Sequence, residues 1–176
     1  MKKLIILTLF ILSANLIFAQ DGYTHFQFRT GYVHKDAITV SIGLDFAKKY
    51  YSAYEVTATY KKSFSDKISH ETLFNEEDST YTKRQINHAY ENLLLGIQYK
   101  PLIIRSKNTA VKFRFGGYIG TDFNHFIASP NIGFEILQSL SRTLDLTFAN
   151  NNGYFFWAEK PTRWRNTAEI GIRLAL

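Results

Sequence analysis

No cysteine occurs among the 176 residues, which excludes disulfides, thiolate metal sites and a lipid-bearing N-terminal cysteine. No stretch after the first twenty residues is both long and apolar enough for a helical span, which needs about 20 residues. No block of like charge appears either. The formal charge is +6, Lys2 and Lys3 supply two of it, and the other bases alternate with acids along the chain. That pattern is a mild excess and not a nucleic-acid footprint, so no direct nucleic-acid partner is expected. Internal repeats and low-complexity tracts are missing as well.

What is present starts with an export pattern. Lys2 and Lys3 precede an apolar run from Leu4 to Leu12, and Ser13, Ala14 and Ala19 supply small residues before Gln20. This reads as a cleaved secretory signal peptide over 1–19, leaving 20–176 as a single domain. The apolar run is short for a retained anchor. Aromatic content reaches 16%, with eleven Tyr and fifteen Phe, which favours strands and a membrane interface.

The strand signal is strict alternation. Ile38, Val40, Ile42, Leu44 and Phe46 interleave with Thr39, Ser41, Gly43 and Asp45, a period of two that separates an apolar from a polar face. The pattern recurs in eight segments, near 22–34, 36–47, 50–62, 89–100, 110–122, 130–138, 143–150 and 163–175. The fold expected is an all-β, eight-stranded antiparallel transmembrane β-barrel. Connections after the second, fourth and sixth segments are short (Lys48-Lys49, Pro101 to Asn108, Ser139 to Arg142). Those after the third, fifth and seventh are longer and more polar. This layout predicts periplasmic turns at one end and outer loops at the other, with both termini in the periplasm. The longest connection, 63–88, reads as strand ends running past the membrane to a solvated, mobile tip, with a surface contact for a partner as the alternative.

Alternation alone does not say which face is inside. Bulk argues that the apolar face points outward. Phe26, Phe28, Phe46, Tyr54, Tyr60, Phe113, Phe115, Phe134, Phe148 and Trp164 share it. The opposite face carries Gly31, Gly43, Gly96, Gly116, Gly120, Gly133 and Gly171. An eight-stranded barrel has room inside only for tightly fitted side chains. The apolar face carries no charge within the segments, as lipid contact demands. The polar face mixes Asp45, Glu55, Glu135, Asp145 and Glu169 with Arg29, Lys61, Lys112, Arg114, Arg165 and Arg173, which could pair across a narrow lumen and block it. The location implied is the outer membrane, with its lipid as the immediate partner. Tyr50, Tyr51, Tyr54 and Tyr99 at one end, and Phe123, Phe126, Tyr154, Phe155, Phe156 and Trp157 at the other, are expected to form interfacial girdles.

No catalytic, cofactor-binding or metal-binding set emerges. His25, His34, His70, His88 and His125 are scattered, and no pair has the close helical spacing of a zinc site. His125 with Asp122, Asn124 and Ser129 could suggest a lipid- or lipopolysaccharide-modifying hydrolase, although a loop histidine in water explains it more simply. Glu55, Glu135 and Glu169 could be acid/base carboxylates, but lumen ion pairs account for them. Gly116-Gly117 with Gly120 has no helix after it, so it is a bend in a strand and not a phosphate loop. The expectation is a non-enzymatic barrel without a cofactor.

Three stretches carry a family resemblance: Tyr54-Glu55-Val56-Thr57-Ala58-Thr59-Tyr60, Phe115-Gly116-Gly117-Tyr118-Ile119-Gly120, and Trp164-Arg165 through Gly171-Ile172-Arg173-Leu174. With the Ala19-Gln20 ending of the signal, the chain resembles the conjugal transfer protein TraO family of Bacteroidetes conjugative elements. The resemblance implies a component of the outer-envelope part of a conjugative DNA-transfer apparatus, with other transfer proteins as partners. It brings no catalytic residues. Leu176 departs from the terminal Phe common in outer-membrane barrels.

Overall fold

The computed structural model describes residues 23–34, 37–48, 52–64, 68–75, 80–87, 91–158 and 163–176, with 68–75 and 80–87 described as backbone. The 1–19 segment read as a signal peptide lies outside the described residues.

Eight strands form the wall: β1 (Thr24–Val33), β2 (Ala37–Ala47), β3 (Ala53–Ser63), β6 (Glu91–Lys100), β8 (Thr109–Thr121), β9 (Phe126–Ser139), β10 (Leu144–Tyr154) and β11 (Trp164–Ala175). Each pairs antiparallel with its neighbours in the chain's own order, and β1 pairs β11, so the sheet closes on itself. Closure removes the open edges that a bilayer would not tolerate. The strands run ten to fourteen residues, enough for a tilted crossing of the hydrocarbon layer.

All eight expected segments are present. The segment placed at 130–138 begins earlier, at Phe126, and the one ended at 150 continues to Tyr154. The connection after the fifth wall strand, expected to be long, is therefore a tight turn over 122–125. The stretch from Pro101 to Asn108, expected as a plain turn, contains a short strand β7 (Leu102–Arg105) paired with the start of β8. The 63–88 connection holds a separate two-stranded hairpin, β4 (Ile68–Asn75) with β5 (Thr80–Asn87). Its central connection, the expected mobile tip, lies outside the described residues.

The two ends of the barrel can be named by what lies there. The terminal mouth is ringed by Thr24, Ala47, Ala53, Lys100, Thr109, Ser139, Leu144 and Ala175. The hairpin mouth is ringed by Val33, Ala37, Ser63, Glu91, Thr121, Phe126, Tyr154 and Trp164.

Burial is inverted relative to a soluble protein. Leu95, Ile97, Ile119 and Ile132 are each more than half exposed, while Arg29, Arg114, Lys100, Gln27, Gln98, Glu55 and Glu135 are fully enclosed. Charged groups are almost never fully buried in water-soluble proteins unless paired, and an apolar exterior this continuous needs lipid around it. Small residues on the inner face make the charged filling possible. A Cβ at Gly171 would lie 2.5 Å from Arg29 Cγ and collide with the Phe28 carbonyl oxygen, and one at Gly96 would run into the ring of Tyr118.

Candidate functional site

The lumen is the most organised polar region among the described residues. Glu55 on β3 sits at its centre, with Arg29 Nη2 at 2.5 Å, Arg114 Nη2 at 2.7 Å and Lys100 Nζ at 2.8 Å. Glu135 on β9 shares two of these cations, Arg29 at 3.2 Å and Lys100 at 2.9 Å. Gln98 links the cluster to the wall, accepting from Arg114 Nε at 2.7 Å and donating to Tyr118 Oη at 2.7 Å. Glu169 on β11 accepts from Ser41 at 2.9 Å and lies 3.5 Å from Arg29 Nε. Toward the terminal mouth, Asp45 meets Lys100 and Arg173, both at 2.9 Å, and Arg173 also reaches Asp145 at 2.9 Å. Moving an ion out of water costs several kcal/mol, which only dense pairing of this kind offsets.

Every acid and base assigned to the inner face from the sequence points inward. Lys100 was missing from that set, although it shares the parity of Asn92 and Gln98 and binds three carboxylates. Including it, Arg29, Lys61, Lys100, Lys112, Arg114 and Arg165 are buried against Asp45, Glu55, Glu135 and Glu169, an excess of bases. Two of these bases lie at the hairpin mouth around an aromatic ring. Arg165 Cζ is 4.2 Å and Lys61 Nζ 5.6 Å from the centre of Phe155, where the ring's negative face attracts cations. Phe155 was expected in the outer girdle. Instead it turns inward, 1% exposed, and closes the hairpin mouth with Leu94, Tyr118, Ile127 and Ala158.

The rest of that girdle is on the outside. Phe126 contacts Trp157, and Tyr154 contacts both Phe156 and Trp164. At the terminal mouth Tyr54 stacks on Tyr99 at 4.9 Å, and Lys48 lies over the Tyr54 ring. Tyr50 and Tyr51 lie outside the described residues. One polar island interrupts the outer face just inside the Tyr154–Trp164 pair. Asn150 donates to Asn166, Asn166 to Asn152, and Asn152 back to Asn150, at 3.3, 2.6 and 3.1 Å. Each amide gives one hydrogen bond and takes one, so the ring lowers the cost of facing lipid.

Of the hydrolase candidates, Asp122 and His125 share one turn, with His125 Nδ1 3.7 Å from Asp122 Oδ1, while Ser129 lies in the wall. His125 is exposed in the 122–125 turn, where Asp122 Oδ1 accepts from the backbone amides of Asn124 and His125. Ser129 is buried in the wall, its hydroxyl donating to the Pro130 carbonyl. At the terminal mouth lies an open pocket of about 200 Å³, bordered by His25, Arg105, Lys107, Lys112, Asp145 and Arg173 among others.

No protein-family model and no curated protein matches the sequence. Solved structures do match. The N-terminal β-barrel domain of Pseudomonas aeruginosa OprF aligns over 89% of this chain and 98% of its own, with TM-score 0.54 and 10% identity. A major outer membrane protein from Thermus thermophilus aligns over 87% and 99%, with TM-score 0.54 and 9% identity. The chain has the fold of outer-membrane β-barrels. A de novo designed transmembrane β-barrel shares it too, over 89% and 98%, with TM-score 0.53 and 16% identity. That fold agrees with the apolar belt and charged lumen, which are what a closed barrel needs to sit in lipid.

Proposed function

We propose that the chain is a non-enzymatic integral protein of the outer membrane that serves in the outer-envelope part of a conjugative DNA-transfer apparatus. The observation that carries the non-channel part of this reading is the obstructed lumen. Glu55, Arg29, Arg114 and Lys100 fill its middle, and Phe155 stands at the hairpin mouth. A barrel blocked in this way works through its surfaces. The transfer role rests on the likeness of the Tyr54–Tyr60, Phe115–Gly120 and Trp164–Leu174 stretches to the TraO family. In this reading the terminal mouth faces the periplasm, the β4–β5 hairpin lies outside the cell, and lipid surrounds the belt. Another transfer protein docks on the exposed end, and the barrel does not touch DNA directly.

Deletion of the gene from a donor strain tests the role. Mating frequency should fall by orders of magnitude and return on complementation. Undiminished mating contradicts the transfer role and leaves a structural or adhesive barrel.

A further inference from the structure

The bases in the lumen that outnumber the acids are not all satisfied in the same way. Lys61 and Arg165 lie against an aromatic ring, while Arg29, Lys100 and Arg114 each lie on carboxylates. Lys112, on β8, is held less closely, across the strand pair from Glu135 and in the field of Asp45. It is 4% exposed and borders the terminal pocket. Arg173 beside it is committed to Asp45 and Asp145. His25 adds an open donor. Its Nε2 lies 3.4 Å from Arg173 Nη2, a donor only, so Nε2 accepts and Nδ1 carries the proton. That Nδ1 is buried and without a partner. Arg105 and Lys107, from β7 and the turn after it, border the same pocket, and Asp145 is its one acid.

An ammonium at the edge of the pocket and a buried N–H donor without an acceptor ask for an anion with several acceptor oxygens. We propose that the terminal mouth is a binding site for a phosphate group, held by Lys112 and His25 within the field of Arg105, Lys107 and Arg173. The pocket's size, about 200 Å³, suits one phosphate group and a few waters. The group is either free phosphate or the headgroup of an anionic lipid.

The test uses the full chain without its signal, folded into nanodiscs of phosphatidylcholine in chloride buffer. Inorganic phosphate is titrated by calorimetry. In a parallel arm the response to short-chain phosphatidic acid is followed through the backbone amide signals of Lys112 and His25. Saturable binding in the first arm identifies free phosphate, and a response in the second arm alone identifies a lipid headgroup. Lys112→Met, which keeps length and removes charge, should weaken binding roughly tenfold to a hundredfold, the loss of one charge-assisted hydrogen bond. Should that variant fail to fold, Ser139→Asp puts a carboxylate at an exposed position on the same rim and should weaken binding with the buried network intact. Absence of saturation in both arms, or affinity unchanged in the folded variants, overturns the proposal.

Discussion

Arg29 on β1 and Glu55 on β3 face each other across the lumen with one strand between them, Arg29 Nη2 lying 2.5 Å and Nη1 3.1 Å from the two carboxylate oxygens. The pair is two-pronged and fully enclosed, and Glu55 also balances Arg114 and Lys100. Glu55→Gln therefore leaves three buried cations short of one anion. Removing one partner of such a network costs about 3–5 kcal/mol. Urea unfolding of the refolded protein in detergent should show that loss, whereas Glu55→Asp, which retains the charge, should lose less. Equal stability of Glu55→Gln and the parent would mean that the ion cluster does not hold the barrel.

Gly96 on β6 and Tyr118 on β8 form a second interlock, since the Tyr118 ring occupies the space a side chain at 96 would need. Gly96→Val should destabilise by about 1–3 kcal/mol through overpacking. Combined with Tyr118→Ala, which vacates the space, the valine should cost much less. A double-mutant cycle in unfolding free energy reads the coupling, and strict additivity would contradict the interlock.

Facing can be tested at adjacent positions. Ile42 is half exposed on the outer face between Phe28 and Ala58, while Ser41 is buried and donates to Glu169. Ile42→Arg places a charge against lipid at about 2–4 kcal/mol and should impair insertion. Ser41→Arg meets the lumen and should fail only through crowding and added positive charge, so Ser41→Ala should assemble normally. Normal assembly of Ile42→Arg would mean the faces are reversed.

Much of this was legible because lipid and lumen impose opposite demands at a period of two residues. Each segment from Phe26 to Leu174 therefore carried its facing in its parity. Lys100 escaped because it precedes Pro101, where the chain reads as a turn. Asn150-Asn151-Asn152 also resembles turn chemistry. In the barrel it continues β10, with Asn151 donating to Glu169 inside and its two neighbours joined to Asn166 outside. The β4–β5 hairpin is too polar to alternate, because no apolar phase bounds it. Phe155 was misplaced because composition cannot distinguish an aromatic at the interface from one folded into the mouth.

Orientation has its own readout. Protease added to whole cells should cut between Asp66 and Arg84 and leave a protected membrane fragment. Cutting that required prior opening of the outer membrane would mean the terminal mouth faces outward.

The central claim is that a charged lumen inside an apolar wall makes this chain a closed barrel resident in the outer membrane. Cell fractionation followed by gel electrophoresis with and without boiling tests it most directly. The protein should sediment with outer membranes and migrate differently when unboiled, because a closed barrel resists unfolding by detergent. Recovery in the soluble periplasmic fraction, with identical migration before and after boiling, would contradict it.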